Sequence, residues 1–272
     1  MPALIIAFLA LLFILWLIGQ PYLTERKRQQ IRAQPFPAAW RDILKRRVPY
    51  VRAMPVDLQL QLKQHIQVFV AEKTFIGCDG LEITDEMRVT VAAQACLLLL
   101  NSPRGYYRNL RQILIYPYGF LVNRAQPDDS GVTHPGRQAL SGESWSQGQV
   151  ILSWHDALQG AAMPHDGQNV VIHEFAHQLD QETGAANGAP ILARRAHYAR
   201  WSQVLGAEFK HLQARTSHHQ SSLFSDYGAT DPAEFFAVIS EVFFEQPQRM
   251  ATEHPALYQE LSTLYHLDPL SW

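Results

Sequence analysis

Charged residues and cysteines are both scarce in this sequence, and each shortage excludes a class of protein. Only 18% of the 272 residues are charged and 47% are hydrophobic, so the chain is not intrinsically disordered and can bury a sizeable core. The formal net charge of −2 argues against direct binding of nucleic acid, because no strongly basic surface is implied. Cys78 and Cys96 are too few for a disulfide framework, which allows a reducing compartment.

The N-terminal segment lacks charge altogether. Residues 1–24 contain no charged side chain, and 3–18 is almost unbroken Leu, Ile, Phe, Ala and Trp, close to the roughly 20 residues that span a bilayer. The basic residues, beginning with Arg26, follow this run, and no Ala-x-Ala cleavage site comes after it, unlike in a secretory signal. Because basic residues stay on the cytoplasmic side, we predict an uncleaved transmembrane anchor over 1–24 that contacts the lipid bilayer, with the body in the cytoplasm. The alternatives are a buried core helix and a cleaved signal.

The remainder of the chain predicts an α+β fold. Residues 25–36 are polar and basic and are interpreted as a juxtamembrane linker, which leaves one domain over 37–272. We predict that this domain is mainly helical, with a small mixed sheet beside the helix that carries the site. The predicted helices lie at 38–47, 57–73, 85–100 and 194–214. The predicted strands lie at 112–116, 137–142 and 149–154, with a loop at 126–136 and a further short segment, 119–122, that extends or follows the first strand.

A His-Glu-x-x-His pattern stands at His173-Glu174-Phe175-Ala176-His177, inside an apolar helical segment. Residues four apart lie about 40° apart around a helix and about 6 Å apart along it, so His173 and His177 point the same way from adjacent turns. Two imidazoles and a carboxylate suit zinc and leave a fourth position for water, from which Glu174 is placed to take a proton. The pattern predicts a catalytic zinc site; the alternative is a buried helix with two hydrogen-bonded core histidines.

A third ligand must come from elsewhere, because the extended motif that supplies one fails here: Asp180 replaces its glycine and Thr183 its last histidine. Glu234 is the first candidate, in the first turn of an apolar helix that Asp231-Pro232 begins. An unpaired buried carboxylate is too unfavourable to keep, and a metal ion removes that penalty. Glu241, two turns later on the same face, is the rival; it or Asp180 could instead accept a hydrogen bond from a ligand imidazole.

Two further features of the sequence are candidate sites. The adjacent pair His218-His219 lies in a polar loop, and an exposed polar pair is the simpler interpretation, because adjacent loop residues rarely converge on one ion. The strands ahead of the motif helix could bind a peptide that adds in extended form to an exposed sheet edge, although a simple core sheet explains the same residues.

Several further segments, taken with the motif, carry a family resemblance over about residues 36–270. They are Leu114-Ile115-Tyr116-Pro117, Ser141-Gly142-Glu143-Ser144-Trp145 with Gly148, Val150-Ile151-Leu152-Ser153-Trp154, Leu179-Asp180, Asp226-Tyr227, Asp231-Pro232-Ala233-Glu234, Ser240-Glu241 and Asp268-Pro269-Leu270. With them the chain resembles the Mlc titration factor A (MtfA) peptidases, which are similar to the catalytic domain of anthrax lethal factor. The familiar soluble members lack the apolar leader, so the predicted anchor, placed in the bacterial inner membrane, departs from the family.

The resemblance implies a zincin-like metallopeptidase in which His173, His177 and Glu234 bind one Zn²⁺ ion. It also implies that Glu174 is the general base and that Tyr227 assists the transition state; otherwise Tyr227 is a packed aromatic at a turn. The implied activity is hydrolysis of a peptide or protein substrate, aminopeptidase-like or internal, with a regulatory role linked to sugar uptake. The alternatives are a non-proteolytic protein that sequesters an Mlc-like repressor and a purely structural zinc, which would not require Glu174.

Overall fold

Ten α-helices surround a small sheet in the computed structural model, which describes residues 2–102, 105–127, 133–140, 142–145, 148–184 and 186–272. The predicted α+β fold, mainly helical with a small sheet, is confirmed. The helices are α1 (Pro2–Arg32), α2 (Ala38–Arg47), α3 (Val56–Glu72), α4 (Asp85–Leu97), α5 (Trp154–Ala162), α6 (Val170–Asp180), α7 (His197–Ser217), α8 (Pro232–Glu245), α9 (Pro247–Glu253) and α10 (Pro255–Tyr265). The strands are β1 (Thr74–Gly77), β2 (Gln112–Tyr116), β3 (Phe120–Pro127), β4 (Thr133–Leu140), β5 (Gly142–Trp145) and β6 (Gln149–Ser153).

The main sheet has the strand order β1-β2-β6-β5. The first three strands run parallel, with Ile113 opposite Phe75 and Val150. β5 runs antiparallel to β6 and lies at the edge of the sheet, where it also contacts α6. The sheet is therefore mixed, as predicted, and it ends beside the motif helix.

Two sequence interpretations of the strands need correction. The four-residue β1 was missed, because so short a segment shows no periodicity of its own. Part of the predicted loop at 126–136 is strand, since β3 and β4 pair from Phe120↔Leu140 to Pro127↔Thr133. Residues 128–132 lie outside the described residues. Ser141, which falls within the predicted strand 137–142, lies outside them as well. The prolines and glycines of this segment predict a loop from the local sequence. The pairing of β3 with β4, in a hairpin separate from the main sheet, overrides that local preference.

The predicted helices form where apolar spacing and capping agree. The stripe on α3, from Leu58 through Leu62 and Ile66, is buried as expected. Thr84 caps α4 as predicted, its Oγ1 accepting from the backbone N–H of Met87. Boundaries shift by a few residues: α4 ends at Leu97 instead of residue 100, and α7 begins at His197 instead of residue 194.

An aromatic cluster fixes the inner face of α6. The ring centroid of Phe175 lies 4.8 Å from that of Tyr107 and 5.6 Å from that of Phe69, and all three side chains are fully buried. The Tyr107 hydroxyl donates to the carbonyl of Ala95 in α4 at 2.6 Å. Since Phe175 stands between the two motif histidines in sequence, this packing turns the face that carries them towards α8.

The structure contradicts the transmembrane anchor predicted over residues 1–24. Among the residues that it describes, no helix combines the length and the apolarity needed to cross a membrane. The apolar leader continues into the basic segment as one helix, α1, which ends at Arg32. Arg28 pairs with Glu72 of α3 at 2.7 and 2.9 Å, so this basic part of α1 packs on the body. The predicted anchor is therefore wrong, and with it the inner-membrane location.

The aromatic cluster generates a stability prediction. Phe69→Ala removes a fully buried ring and should lower the free energy of unfolding by about 3–5 kcal/mol, through lost burial and the cavity left behind. Leu60→Ala on the exposed side of the same helix is the matched control and should change it by less than about 0.5 kcal/mol. Urea unfolding followed by circular dichroism measures both, and equal effects of the two changes would contradict this account of the core.

Candidate metal centre

The two motif histidines and Glu234 meet where the first turn of α8 crosses α6. Glu234 Oε2 lies 3.0 Å from His173 Nε2 and 3.2 Å from His177 Nε2. Glu234 is held there because α8 begins as predicted: Asp231 is the N-cap, and its Oδ1 accepts from the backbone N–H groups of Ala233 and Glu234. The structure thus brings together residues that lie 57 and 61 positions apart.

The donor set fits a zinc ion. Within the described part of the chain, His173, His177 and Glu234 are the one group of potential ligands whose binding atoms all lie within 4.8 Å of one another. A tetrahedral site with bonds of about 2.0 Å has ligand–ligand edges of about 3.3 Å, close to the 3.0 and 3.2 Å distances here. Two imidazole nitrogens and a carboxylate oxygen are the donors that zinc takes when it keeps a fourth position open.

Glu241 binds the far side of one histidine. His173 Nδ1 donates to Glu241 Oε1 at 2.8 Å, which leaves Nε2 of the same ring to face Glu234. Of the two carboxylates weighed for the third position, Glu234 therefore lies at the Nε2 atoms and Glu241 at Nδ1. Asp180 serves the loop after α6, since its carboxylate accepts backbone N–H groups from Asn187, Gly188 and Ala189 at 2.7–2.9 Å.

The electrostatics favour an ionised Glu234. Burial raises the pKa of this carboxyl group, but hydrogen bonds from His173 and His177 outweigh burial and hold the pKa well below its usual value. Burial by itself would lower the pKa of His173, whereas its bonds to Glu234 and Glu241 raise it well above the usual value. An anionic carboxylate is the form that binds a metal ion.

Glu174 is a buried carboxyl group that faces the cleft. It is 5% exposed, and its Oε2 atom has no hydrogen-bond partner in the described part of the structure. Burial raises its pKa to about 7, although the neighbouring His173 and His177 act in the opposite direction. A group with a pKa near neutrality can both accept and return a proton at physiological pH.

β5 passes directly over Glu174, and only a glycine allows this approach. A Cβ atom at Gly142 would lie 2.5 Å from Glu174 Oε1 and 2.7 Å from a methyl carbon of Val170. Because Gly142 has no side chain, β5 and Glu174 can line the same cleft side by side. The cleft has a volume of about 420 Å³, and His173 also faces it. The resemblance included Gly142 without assigning it this role.

Tyr227 also lines this cleft. It belongs to a short 3₁₀ helix, Asp226–Ala229, and its ring centroid is 5.9 Å from that of His173. The side chain is 40% exposed. The pair His218-His219 is exposed and lies outside the ligand group.

Two residues of the site were missed in the sequence. Asn169 caps α6, its Oδ1 accepting from the backbone N–H of Ile172 at 3.0 Å; an asparagine just before an apolar helix is a signal that could have found it. Glu245, buried at the end of α8, bonds to Asn169, and nothing in the local sequence indicates that contact.

Geometry and comparison together identify the class of protein, a metallopeptidase. The model of the glucose-regulated metallopeptidase M90 family matches residues 22–266. An uncharacterized protein of Synechocystis sp. is 38% identical over 271 residues, 99% of this chain and 98% of its own length. Mlc titration factor A of Klebsiella pneumoniae is 34% identical over 227 residues (82% and 84%), and that of Serratia proteamaculans 32% over 258 (94% and 95%). The chain belongs to the M90 metallopeptidase family, which confirms the resemblance.

Burial of Glu174 predicts a pH-dependent stability of the metal-free protein. Its pKa in the folded state is raised above the ordinary value of 4.5, so wild type loses stability as pH rises from about 4.5 to 7. Glu174→Gln removes this loss and should gain about 2–4 kcal/mol over wild type by pH 8, but little at pH 4.5. Thermal unfolding in a chelator across this pH range measures the gain, with Glu253→Gln on the surface as the matched control. A gain independent of pH would contradict the assignment.

Proposed function

We propose that this protein is a zinc-dependent peptidase that hydrolyses peptide bonds in a peptide or protein substrate. The observation that carries the proposal is the meeting of His173 Nε2, His177 Nε2 and Glu234 Oε2 beside a buried, cleft-facing Glu174. One zinc ion per chain would be held by these three atoms. When bound, zinc would lower the pKa of a water molecule and stabilise negative charge on the carbonyl oxygen of the scissile bond.

Glu174 moves the proton in this proposal. Its Oε2 atom accepts a proton from the attacking water and afterwards returns that proton to the nitrogen of the leaving amine. The absence of a competing hydrogen bond at Oε2 among the described residues leaves this atom free for the transfer. The close approach of Gly142 limits the positions that the carboxyl group can take.

Tyr227 stabilises charge on the substrate. Its hydroxyl, on a partly exposed side chain that lines the cleft close to His173, is suited to donate a hydrogen bond to the carbonyl oxygen as it becomes negative. Its contribution is therefore to the rate of the chemical step.

The substrate chain binds along β5. This strand is at the edge of the sheet, and among the described residues no further strand pairs with its outer side. An extended peptide that adds there gains backbone hydrogen bonds with β5. Because Gly142 of β5 lies against Glu174, a carbonyl group of the bound peptide would come close to this general base.

The zinc assignment predicts a stoichiometry. The purified protein should contain about one zinc ion per chain, and Glu234→Ala should lose it or bind it at least tenfold more weakly, because one of three ligands is removed. Glu208→Ala, which removes a half-buried glutamate of α7 that bonds His254, is the matched control and should keep the ion. Metal analysis after dialysis measures each variant, and a folded wild type that takes up no zinc would overturn the proposal.

The proton-transfer assignment predicts a separation of binding from turnover. Glu174→Gln should keep the zinc ion but lose nearly all peptidase activity, at least about 100-fold, because the amide cannot accept the proton. Tyr227→Phe should lose only part, about tenfold, mainly in kcat, since one hydrogen bond to the transition state is removed. Peptide hydrolysis at matched zinc content measures both changes. Full activity of Glu174→Gln would refute the scheme.

The names of the relatives support a second candidate, a non-proteolytic protein that sequesters an Mlc-like repressor. The word "titration" in these names suggests sequestration. The family description calls its members glucose-regulated, and we propose a regulatory role linked to sugar uptake with either candidate. Binding of such a repressor would survive Glu174→Gln, whereas signalling through proteolysis would not.

A further inference from the structure

Three glutamates of α8 share one face of the helix. Glu241 and Glu245 follow Glu234 by seven and eleven residues, which brings all three to within about 40° around the axis. This helix packs against α6, and Glu241 and Glu245 are only 7% and 4% exposed. Two buried carboxyl groups beyond the proposed zinc ligand must therefore find partners inside the protein.

Asn169 links both carboxyl groups to α6. Its backbone N–H donates to Glu241 Oε2, and its side-chain Nδ2 donates to Glu245 Oε1 at 3.0 Å. Its Oδ1 accepts from the backbone N–H of Ile172 and so caps the helix. Because Asn169 is 1% exposed, water is a poor substitute for any of these partners.

Glu245 determines which way the Asn169 amide faces. When Nδ2 points to Glu245, Oδ1 must point to the first turn of α6, as an N-cap requires. Glu245 is itself held, because the backbone N–H of Gly167 donates to its Oε2 at 3.0 Å. Gly160 of α5 confines the amide from another side, since a Cβ atom there would lie 3.0 Å from Asn169 Cγ.

The same contacts reach His173. The backbone N–H of His173 donates to the carbonyl of Asn169 at 2.9 Å, one helical turn earlier. Glu241 accepts both from Asn169 and from His173 Nδ1. Hydrogen bonds thus run from Glu245 through Asn169 to His173 along the backbone and, in parallel, through Glu241.

We propose that Glu245 and Asn169 are a positioning pair that sets the angle at which α6 presents His173 Nε2 to the metal. The inference rests on the proposed zinc site and adds residues that act through a ligand instead of binding the ion. Burial raises the pKa of Glu245 to about 9, although its bond from Asn169 acts in the opposite direction.

The test compares Zn²⁺ affinity, from competition with a chelator, with the melting temperature of the metal-free protein. Glu245→Ala should weaken Zn²⁺ binding about tenfold, the lower end of the effect of residues that orient metal ligands. Thr84→Ala is the matched control, because it removes a different helix cap, on α4. It should lower the melting temperature and leave the Zn²⁺ affinity unchanged.

Two more variants keep the test decisive. Asn169→Asp retains an oxygen to cap α6 but has no N–H for Glu245, so it should weaken Zn²⁺ binding by a similar factor even if Glu245→Ala does not fold. Glu245→Gln keeps an oxygen for Asn169 Nδ2 and should restore part of the affinity. Wild-type Zn²⁺ affinity in Asn169→Asp, and in Glu245→Ala if it folds, would overturn the positioning role. Failure of the proposed function is distinguishable, because wild type itself would then bind no Zn²⁺.

Discussion

One carboxylate facing two imidazoles is the interaction on which the rest of the site depends. Glu234 can meet His173 and His177 only if α8 and α6 keep a fixed distance and angle, because one carboxylate oxygen must reach both imidazoles at the crossing point. The core supplies this rigidity: Phe175 anchors the inner face of α6 among aromatic rings, and the apolar residues of α8 are buried.

The interior tolerates unusual polarity close to this crossing. Glu174 is a buried carboxyl group, and one of its oxygens has no hydrogen-bond partner among the described residues. This arrangement disfavours the ionised form of Glu174 in the folded protein. Glu241 and Glu245, by contrast, are satisfied by His173, Asn169 and backbone N–H groups. The carboxyl oxygen without a partner among the described residues thus belongs to Glu174, which lines the cleft, and this is the pattern of a site that gives up some stability for chemistry.

Most of the site was predictable because its residues carry local signals. Helical spacing alone brings His173, Glu174 and His177 to adjacent turns. Asp231-Pro232 marks the start of α8 and so places Glu234 in its first turn. The choice of Glu234 over Glu241 was not local, because both stand on the same face of one helix, and only the crossing with α6 separates a position at Nε2 from one at Nδ1. The apolar leader gave a wrong prediction, the transmembrane anchor. Composition alone does not reveal that this segment continues into a helix whose basic end packs on the body.

The sequence by itself determined the mainly helical α+β architecture and the helix that carries the motif, because these follow from periodicity, capping and short-range spacing. It also carried the resemblance of several segments that points to the family. The tertiary structure decided the pairing of β3 with β4, the passage of β5 at Gly142 over Glu174 and the bond between Asn169 and Glu245. Each of these three contacts joins residues from separate helices or strands. Their geometry is fixed by contacts between separate elements, and no local pattern in one element specifies its neighbour.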